Sequence, residues 1–475
     1  MPVRRKTKLL MSVVISSLAC SGMVFAKDYT FARAWQEVQQ ISDVLGAEQA
    51  NVERSELLQE ATKSLNYPQV ELSGSYTVLD DPVELDILDF NPQSGLKGNP
   101  IGELIIDALG GREAFKTDIT NKSFGRVALT ALWPIYTGGR ITAAKEIGAA
   151  QTDIANQMFD ITKRTVFEEL VKVYFGVVLA QQNLETRRQV EADFLKHLGN
   201  ARALEKEGQI AKVQRMSIEV AYDQSRVQTV KSQKSLEIAQ VALSQLLHSA
   251  VEVFPTDPLF TNAKLPPDQP FITTSLGKSP LLRSLEARDR ELKAVEKAKR
   301  GRYYPEVFLF ADVPLYKDDS IVSGYLPDWA VGVGFTVPLH DRYNRPKNIG
   351  ATLKAQESVA KLSDATRRVI TVAVEVAYKE AEKALTEFAG LGSSLELAKE
   401  NLRLREAAFK EGFSTATALI DAQLFISVVR LQRSAAAYHY VFSLAKLLAL
   451  SGEINDFGHY QSTAQQSFST MEISQ

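Results

Sequence analysis

The sequence predicts a mainly α-helical fold that also supplies β-strands to a membrane, with one structural pattern present twice. Two observations support this prediction: an internal repeat, and short alternating strands in an exported chain. The repeat is marked by pairs of residues that lie 204 positions apart: Pro134 with Pro338, Tyr174 with Tyr378, and Gly208 with Gly412. One such pair could arise by chance between alanine-rich helices, but three pairs in one register indicate a duplication.

A fourth pair of prolines locates an insertion. Pro68 and Pro305 lie 237 positions apart, so the first half carries 33 additional residues before its second proline. The surplus falls in 79–122, an acidic stretch with Gly and Pro that is predicted to be a long loop. The predicted organisation is a first repeat over 27–265, a second over 266–455 and a polar tail over 456–475.

The overall composition is that of an ordinary globular chain. Of the 475 residues, 45% are hydrophobic and 24% charged, which excludes a disordered, collagen-like or disulfide-scaffolded protein. Lys and Arg number 55 against 57 Asp and Glu, so no basic surplus exists to neutralise phosphates. We therefore expect no nucleic-acid partner.

Residues 1–26 have the pattern of a signal peptide. A basic start precedes an apolar run over 9–19 and a small-residue cleavage site that ends at Ala26. The run is shorter than the ~20 residues that span a bilayer, and an uncleaved anchor is the alternative. Lipidation of Cys20 is a second alternative, although Ser17 stands where a lipidation motif has Leu. No later stretch reaches 18 apolar residues, so no membrane helix is predicted.

Each repeat contains a long helical hairpin. Apolar residues recur at alternating intervals of four and three, which is a heptad seam typical of packed helices. The seam positions are Val166, Leu170, Val173, Val177, Ala180 and Leu184, matched by Ile370, Val374, Ala377, Ala381, Ala384 and Phe388. A second apolar stripe beside the first favours a helix packed on two neighbours over a simple coiled-coil rod. Hairpins are predicted over 143–247 and 347–450, with turns at Gly208 and Gly412, because Gly commonly ends a helix.

Four segments alternate between apolar and polar residues, as half-exposed strands do. They lie at about 69–79, 123–135, 306–313 and 329–339. A proline stands at an end of each strand, where a missing amide hydrogen does least harm: Pro68, Pro134, Pro305 and Pro338. The alternation suits an outer-membrane strand and also a soluble half-buried sheet. Because the chain is predicted to be exported and has no hydrophobic helix, we favour strands that lie in the outer membrane.

The number of strands predicts an oligomer. Four strands cannot close a membrane barrel, because bacterial barrels use about eight or more. An open sheet in lipid would leave unpaired backbone groups at both edges, each costing several kcal/mol. Other copies of the chain must therefore close the sheet. Two copies would give eight strands, whereas three would give twelve, which allows an internal channel. We predict a homotrimer with a twelve-stranded barrel.

These features resemble the TolC-type outer membrane efflux proteins. The resemblance covers 27–452 and includes the signal peptide, the duplicated half, the proline-flanked strands, the segment WPIYTGGR at 133–140 and the turn glycines. It implies a homotrimeric β-barrel in outer membrane lipid, continuous with a long α-helical coiled-coil barrel in the periplasm. It also implies a periplasmic adaptor and an inner-membrane transporter as partners, so that the channel is their passive exit duct in efflux or type I secretion.

The resemblance further implies a periplasmic gate near the second turn. Asp421 matches the later of two acidic gate positions, whereas Ala418 occupies the earlier one. Ser414 stands where some members have an Arg, and Phe409 replaces a gate tyrosine. Most of the charged latch is therefore missing. A ring of three Asp421 carboxylates would attract cations, and an exposed helical Asp without a gating role is the alternative.

Residues exposed at the turns are candidate adaptor contacts. They are Gly208, Ile210 and Ala211 in the first turn, and Gly412, Phe413 and Thr415 in the second. Small residues would let a partner helix approach closely, and Ile210 and Phe413 have no evident use in water. An ordinary solvated turn is the alternative.

The sequence shows no pattern of an enzyme, a cofactor site or a metal site. The five His residues are scattered, and no cysteine remains after 1–26, so no ligand spacing for zinc or copper occurs. Glycine-rich segments lack the Lys and Ser or Thr of a phosphate loop. The alternative function is a periplasmic coiled-coil structural or interaction protein with a soluble sheet.

Overall fold

The computed structural model describes residues 27–90, 96, 98–317, 321–325, 327–340 and 342–468. The predicted signal peptide and Cys20 lie outside these residues. The helices are α1 (Phe31–Ile41), α2 (Asp43–Ala61), α3 (Ile87–Phe90), α4 (Pro100–Ala108), α5 (Arg140–Lys206), α6 (Lys212–Leu246), α7 (Asp268–Lys278), α8 (Pro280–Gly301), α9 (Ile321–Tyr325), α10 (Arg345–Lys410), α11 (Ala416–Ser451) and α12 (Phe457–Ser462). The strands are β1 (Lys27–Tyr29), β2 (Gln69–Val78), β3 (Glu84–Asp86), β4 (Lys116–Asp118), β5 (Ser123–Tyr136), β6 (Val253–Pro255), β7 (Leu259–Thr261), β8 (Glu306–Lys317), β9 (Ala330–Thr336) and β10 (Gln466–Phe468).

The chain folds into two compact units, and each takes segments from both sequence repeats. The first unit comprises the chain up to Gly46, Lys163–Ser275 and the chain from Val372 onward. The second comprises Ala47–Thr162 and Leu276–Thr371. The repeats are therefore not the compact units, because helices α5 and α10 each contribute to both. No helix among the described residues has the length and apolar character needed to cross a bilayer.

The second unit contains an antiparallel sheet in the order β2-β5-β8-β9. Its register places apolar residues of neighbouring strands opposite one another, so one face of the sheet is continuously apolar. Two of these rows are Val70–Ala131–Ala311–Val331 and Leu72–Leu129–Val313. Their Val and Leu side chains are exposed on the single chain. A large exposed apolar surface of this kind is typical of a face that contacts lipid or another chain.

The opposite face of the sheet is mixed in character. Arg126 and Asp312 form an ion pair of 2.5 Å between β5 and β8. The end of the Phe310 ring packs against Gly332 of β9, where a Cβ would come within 2.6 Å of the ring. Glycine at this position therefore leaves room for the aromatic ring.

The four strand-end prolines differ in where they lie relative to their strands. Pro68 and Pro305 directly precede β2 and β8, and Pro338 follows β9. Pro134 instead lies inside β5, two residues before its end at Tyr136. The pairing with β8 shifts register there, and such a bulge accommodates a residue that has no amide hydrogen.

The stretch 79–122 is not simply a long loop, which corrects that prediction. Strands β3 and β4 pair antiparallel within it, and α4 forms between them. The Asn99 side chain accepts a hydrogen bond from the Ile101 amide at 3.3 Å, and Pro100 occupies the first turn of α4. This cap followed by proline is a helix-start signal, which the Gly and Pro content of the stretch obscured.

The core of the first unit contains the predicted helical seam. Seam positions of α10, such as Val374, Ala377 and Ala381, are fully buried. An aromatic cluster packs beside α5: the Phe31 ring lies 4.8–5.9 Å from the rings of Phe167, Tyr174, Phe175 and Phe457. The short pairs β1-β6 and β7-β10 also belong to this unit.

Candidate functional site

The two hairpin turns share one backbone geometry. Gly208 and Gly412 both have φ of +77°, a conformation that glycine adopts without strain. In each turn the glycine amide donates to the carbonyl three residues earlier, at 3.0 Å and 3.1 Å respectively. The following amide donates to the carbonyl five residues before it, at 2.9 Å and 2.8 Å. This pair of bonds is the Schellman motif, so both long helices end in the same way.

The first turn is closed by ion pairs instead of a side-chain cap. Ala211 occupies the N-cap position of α6 and has no side chain that could accept a hydrogen bond. Arg215 of α6 pairs across the turn with Glu205 of α5 at 3.0 Å, and also with Glu219 on its own helix. Hydrogen bonding to Glu205 raises the pKa of Arg215. The turn therefore presents mainly small and polar groups to solvent.

The second turn is capped by a hydroxyl and exposes a large apolar side chain. Thr415 occupies the N-cap position of α11, and its side chain accepts a hydrogen bond from the Ala418 amide at 3.3 Å. Phe413 directly follows the turn glycine and is 89% exposed. An aromatic side chain held outward on a well-defined turn is available to contact a partner.

One hydrophobic cluster joins the ends of both hairpins. Its buried members come from all four long helices: Leu198, Ala201, Ile218, Phe409, Ala416 and Leu419. Phe409 is 1% exposed, so its ring is a core side chain in this chain. Ile210 is half buried and packs against the same cluster, which corrects the expectation that it is exposed at the turn. The cluster places the two turns side by side.

Asp421 lies on the exposed face of α11, beyond the second turn. None of the ion pairs among the described residues involves its carboxylate. The same helix face exposes Leu424, Phe425 and Val428, at spacings of three, four and seven residues from Asp421. This face is therefore apolar apart from one acid, and it has no intramolecular cover on the single chain.

A buried polar cluster lies beside the hairpin-end core, and the sequence patterns did not single it out. His197 is 3% exposed, and its Nε2 lies 3.5 Å from Oε1 of Glu406. Gln423 donates from Nε2 to Oδ2 of Asp193 at 2.7 Å. Burial lowers the pKa of His197, because the loss of hydration outweighs the attraction of Glu406 and Asp193. The cluster thus connects α5 with α10 and α11.

The heptad pattern contains a signal for this cluster. His197 follows the buried Phe194 by three residues and precedes the buried Ala201 by four. It therefore occupies a core position of the helical seam. In the sequence it is one of five scattered histidines.

The predicted site residues divide between the two units. Gly208, Ala211, Gly412, Phe413 and Thr415 are exposed at the adjoining turns of the first unit. The four strand-end prolines belong to the second unit, with the sheet. Among the described residues, no cluster of three or more His, Cys, Asp or Glu could hold a metal ion.

Comparison with known families gives a match over most of the chain. The family model described as outer membrane efflux protein matches twice, at residues 35–248 and 271–453. The two matches correspond to the two repeats, which confirms the internal duplication. No curated protein matches the chain by sequence.

Solved structures share the fold at low sequence identity. The outer membrane channel CmeC of Campylobacter jejuni is 11% identical, with a TM-score of 0.70 over 100% of this chain and 97% of that one. The outer membrane channel MtrE of Neisseria gonorrhoeae, in its open state, is 17% identical, with a TM-score of 0.70 over 95% and 98%. The outer membrane protein VceC of Vibrio cholerae is 13% identical, with a TM-score of 0.70 over 89% and 96%. At these identities the likeness concerns the fold.

Proposed function

The chain belongs to the outer membrane efflux protein family, and on that premise we propose that it is the exit duct of a tripartite efflux or type I secretion system. The protein is an outer membrane efflux channel, so the alternative of a soluble periplasmic interaction protein is not retained. In the proposed system the duct is passive. An inner-membrane transporter supplies the energy, and a periplasmic adaptor joins the transporter to the duct.

The observation that carries this proposal is the register of the four-stranded sheet. One face is apolar across all four strands, while β2 and β9 each have a neighbour on one side only among the described strands. In lipid such edges must be paired, because no water satisfies their backbone groups. Pairing β9 of one chain with β2 of the next closes the sheet, and three chains supply twelve strands.

Two neighbouring residues of β2 test which face meets lipid. Leu72 belongs to an apolar row, whereas Ser73 points to the opposite face. Arginine on the lipid face of a barrel costs about 2–4 kcal/mol near the midplane. We expect Leu72→Arg to reduce the recovery of trimer from outer membranes strongly and Ser73→Arg to leave it near normal. Equal recovery of both variants, or a wild-type protein that is monomeric without detergent, would contradict the proposal.

The adaptor is proposed to bind the two hairpin turns. Phe413 is the main apolar contact, since it is largely exposed. Gly208, Ala211, Gly412 and Thr415 provide small side chains around it, and half-buried Ile210 supports the surface from below. Burying a phenylalanine contributes about 1.5–3 kcal/mol, which corresponds to roughly tenfold or more in affinity.

Photo-cross-linking can test this docking surface. We expect a cross-linkable residue at position 413 to capture the cognate adaptor, and the same residue at exposed position 364 of α10 to capture none. Phe413→Ala should weaken co-purification of adaptor while leaving trimer and channel conductance unchanged. Capture at 364 but not at 413 would exclude the turns as the docking surface.

Asp421 is proposed to contribute a ring of three carboxylates at the periplasmic gate. Its exposed position on α11 is compatible with a side chain that faces a passage or a neighbouring chain. A carboxylate ring binds cations and favours their passage. We expect Asp421→Asn to relieve block by divalent cations in single-channel recordings, whereas Asp364→Asn should not. Unchanged block in both variants would remove Asp421 from the gate.

A further inference from the structure

The loop between β9 and α10 lies at one end of the membrane sheet. β9 ends at Thr336 and α10 begins at Arg345, and both belong to the second unit. Because this sheet end leads into a long helix, and the helices of this family form its periplasmic part, the loop lies at the periplasmic side of the outer membrane.

Described residues of this loop and of the start of α10, with Tyr303 before β8, line a cavity of about 480 Å³. Its lining includes Tyr303, Leu339, His340, Arg342 and Arg345. The volume falls within the range of about 300–1,000 Å³ that is usual for small-molecule sites. The described residues that line the cavity include both basic and aromatic side chains.

Intramolecular contacts hold the described residues of this loop. Arg345 is buried, donates from its guanidinium to the Pro338 carbonyl at 2.6 Å, and lies 5.1 Å from the Tyr303 ring centre. Asn344 adopts a left-handed φ of +47°, and Asn348 donates to the Tyr343 carbonyl at 2.6 Å. The cavity walls are thus held in place before any ligand binds.

Arg342 lines the cavity, and Arg302 directly precedes the lining residue Tyr303. Neither Arg302 nor Arg342 forms an ion pair with any carboxylate of the described residues. The Arg302 guanidinium lies over the Tyr343 ring, with its central carbon 4.0 Å from the ring centre. The edge of a stacked guanidinium keeps its N–H groups available, and their spacing matches phosphate oxygens.

The surroundings of the cavity are those of a lipid–water interface. Leu339 is 92% exposed beside the basic residues. Exposed aromatic side chains lie at the same end of the strands: Tyr67, Trp133, Tyr303, Tyr304 and Phe335. Aromatic residues with a polar edge mark the boundary of a bilayer, and basic residues there attract anionic headgroups.

We propose that this cavity binds the phosphate of an anionic phospholipid headgroup from the periplasmic leaflet of the outer membrane. Arg302 and Arg342 contact the phosphate oxygens, while Leu339 lies against the acyl chains. Free phosphate shares the same headgroup chemistry but lacks the acyl chains, so the two sources are distinguishable by experiment.

Lipid titration of the purified trimer tests the proposal. Delipidated protein in detergent is titrated with dioctanoyl phosphatidylglycerol, dioctanoyl phosphatidylcholine or inorganic phosphate, and bound molecules are counted by native mass spectrometry. We expect phosphatidylglycerol to bind about tenfold or more tightly than phosphatidylcholine, since two surface cations attract the anionic lipid. The double variant Arg302→Gln/Arg342→Gln should lose this preference.

The control variant Arg54→Gln/Arg112→Gln removes the same charge from two exposed sites of the same unit. It should retain the preference for phosphatidylglycerol. If the first double variant does not assemble, Arg302→Lys/Arg342→Lys keeps the charge and should show a partial loss. An unchanged preference in the Gln double variant would overturn the proposal. Displacement of the lipid by an equal concentration of inorganic phosphate would assign the cavity to free phosphate and overturn its lipid source.

Discussion

The two hairpin turns have the same backbone but different means of stabilisation. Gly208 and Gly412 adopt the same φ and the same pair of hydrogen bonds. The first turn relies on ion pairs around Arg215 and directs its apolar residue, Ile210, toward the core. The second relies on the Thr415 cap and leaves its apolar residue outside.

This difference separates the residues that form the turn from those that are available to contact a partner. A duplicated turn needs only its glycine and a few local bonds to form, so side chains around it are free to diverge. In the first turn the apolar side chain of Ile210 packs against the core, whereas the Phe413 side chain of the second turn is exposed. The second turn is therefore the one equipped for an external contact.

The largest expected effect comes from the core that both turns share. Phe409→Ala should cost about 3–5 kcal/mol of local stability, because it leaves a cavity in a fully buried site. Hydrogen exchange should then accelerate at both turns, although only one is mutated. Phe413→Ala is the matched control and should leave exchange nearly unchanged. Acceleration confined to the second turn would show that the two hairpin ends are not coupled.

Replacing the turn glycines tests whether the two backbones are equivalent. Alanine in a left-handed conformation costs roughly 1–2 kcal/mol. A Cβ would meet no atom within 4 Å at Gly208 or Gly412, so the cost is that of the backbone alone. We expect Gly208→Ala and Gly412→Ala to lower local stability equally by hydrogen exchange. A clear inequality would mean that the turns differ in more than their side chains.

Exchanging the caps tests the difference between the turns. Thr415→Ala should cost about 1 kcal/mol, since one amide loses its side-chain acceptor. Ala211 has φ of −73° and ψ of 147°, close to the −84° and 156° of Thr415. Ala211→Thr should therefore stabilise the start of α6 by up to about 1 kcal/mol. Local exchange rates at both helix starts would measure this, and a destabilising Ala211→Thr would refute the equivalence.

The smallest expected effect is a pH dependence centred on His197. Burial lowers the pKa of His197, so the folded hairpins favour the neutral ring. The unfolded chain gains a proton near its ordinary value of about 6.5, so stability is full above that pH. This contribution to stability is lost as the pH falls through 6.5 toward the lowered pKa of His197.

Amide hydrogen exchange rates, corrected for the intrinsic effect of pH on exchange, would reveal this loss of stability. Protection of the hairpin ends should fall between pH 7.5 and about 5.5 in the wild type. His197→Gln should show a flatter profile across the same interval. An identical slope in the variant would assign the effect to groups other than His197.

Local patterns in the sequence predicted the repeated elements well. The glycine turns, the buried seam of α10 and the four alternating strands each depend on residues that are near one another in the chain. The strand predicted over 123–135 ends one residue short of β5, because a bulge allowed the strand to continue beyond Pro134. Such a bulge depends on the pairing with β8, which lies far away in sequence.

The remaining errors also concern long-range contacts. Ile210 was expected at the surface because it lies in the turn, but it packs against a cluster that includes residues of the other hairpin. The polar cluster at His197 needs Glu406 and Gln423, which lie in the other repeat. The roles of the turns and of Asp421 stay predictions, because they depend on partner chains.

The edge strands β2 and β9 have a consequence for how the channel assembles. Since neither edge can be satisfied in lipid by one subunit, insertion and assembly must occur as a single step. For the proposed homotrimer, the yield of finished channels should then fall more than in proportion when subunit supply is limiting. Cells that halve synthesis would lose far more than half of their export capacity.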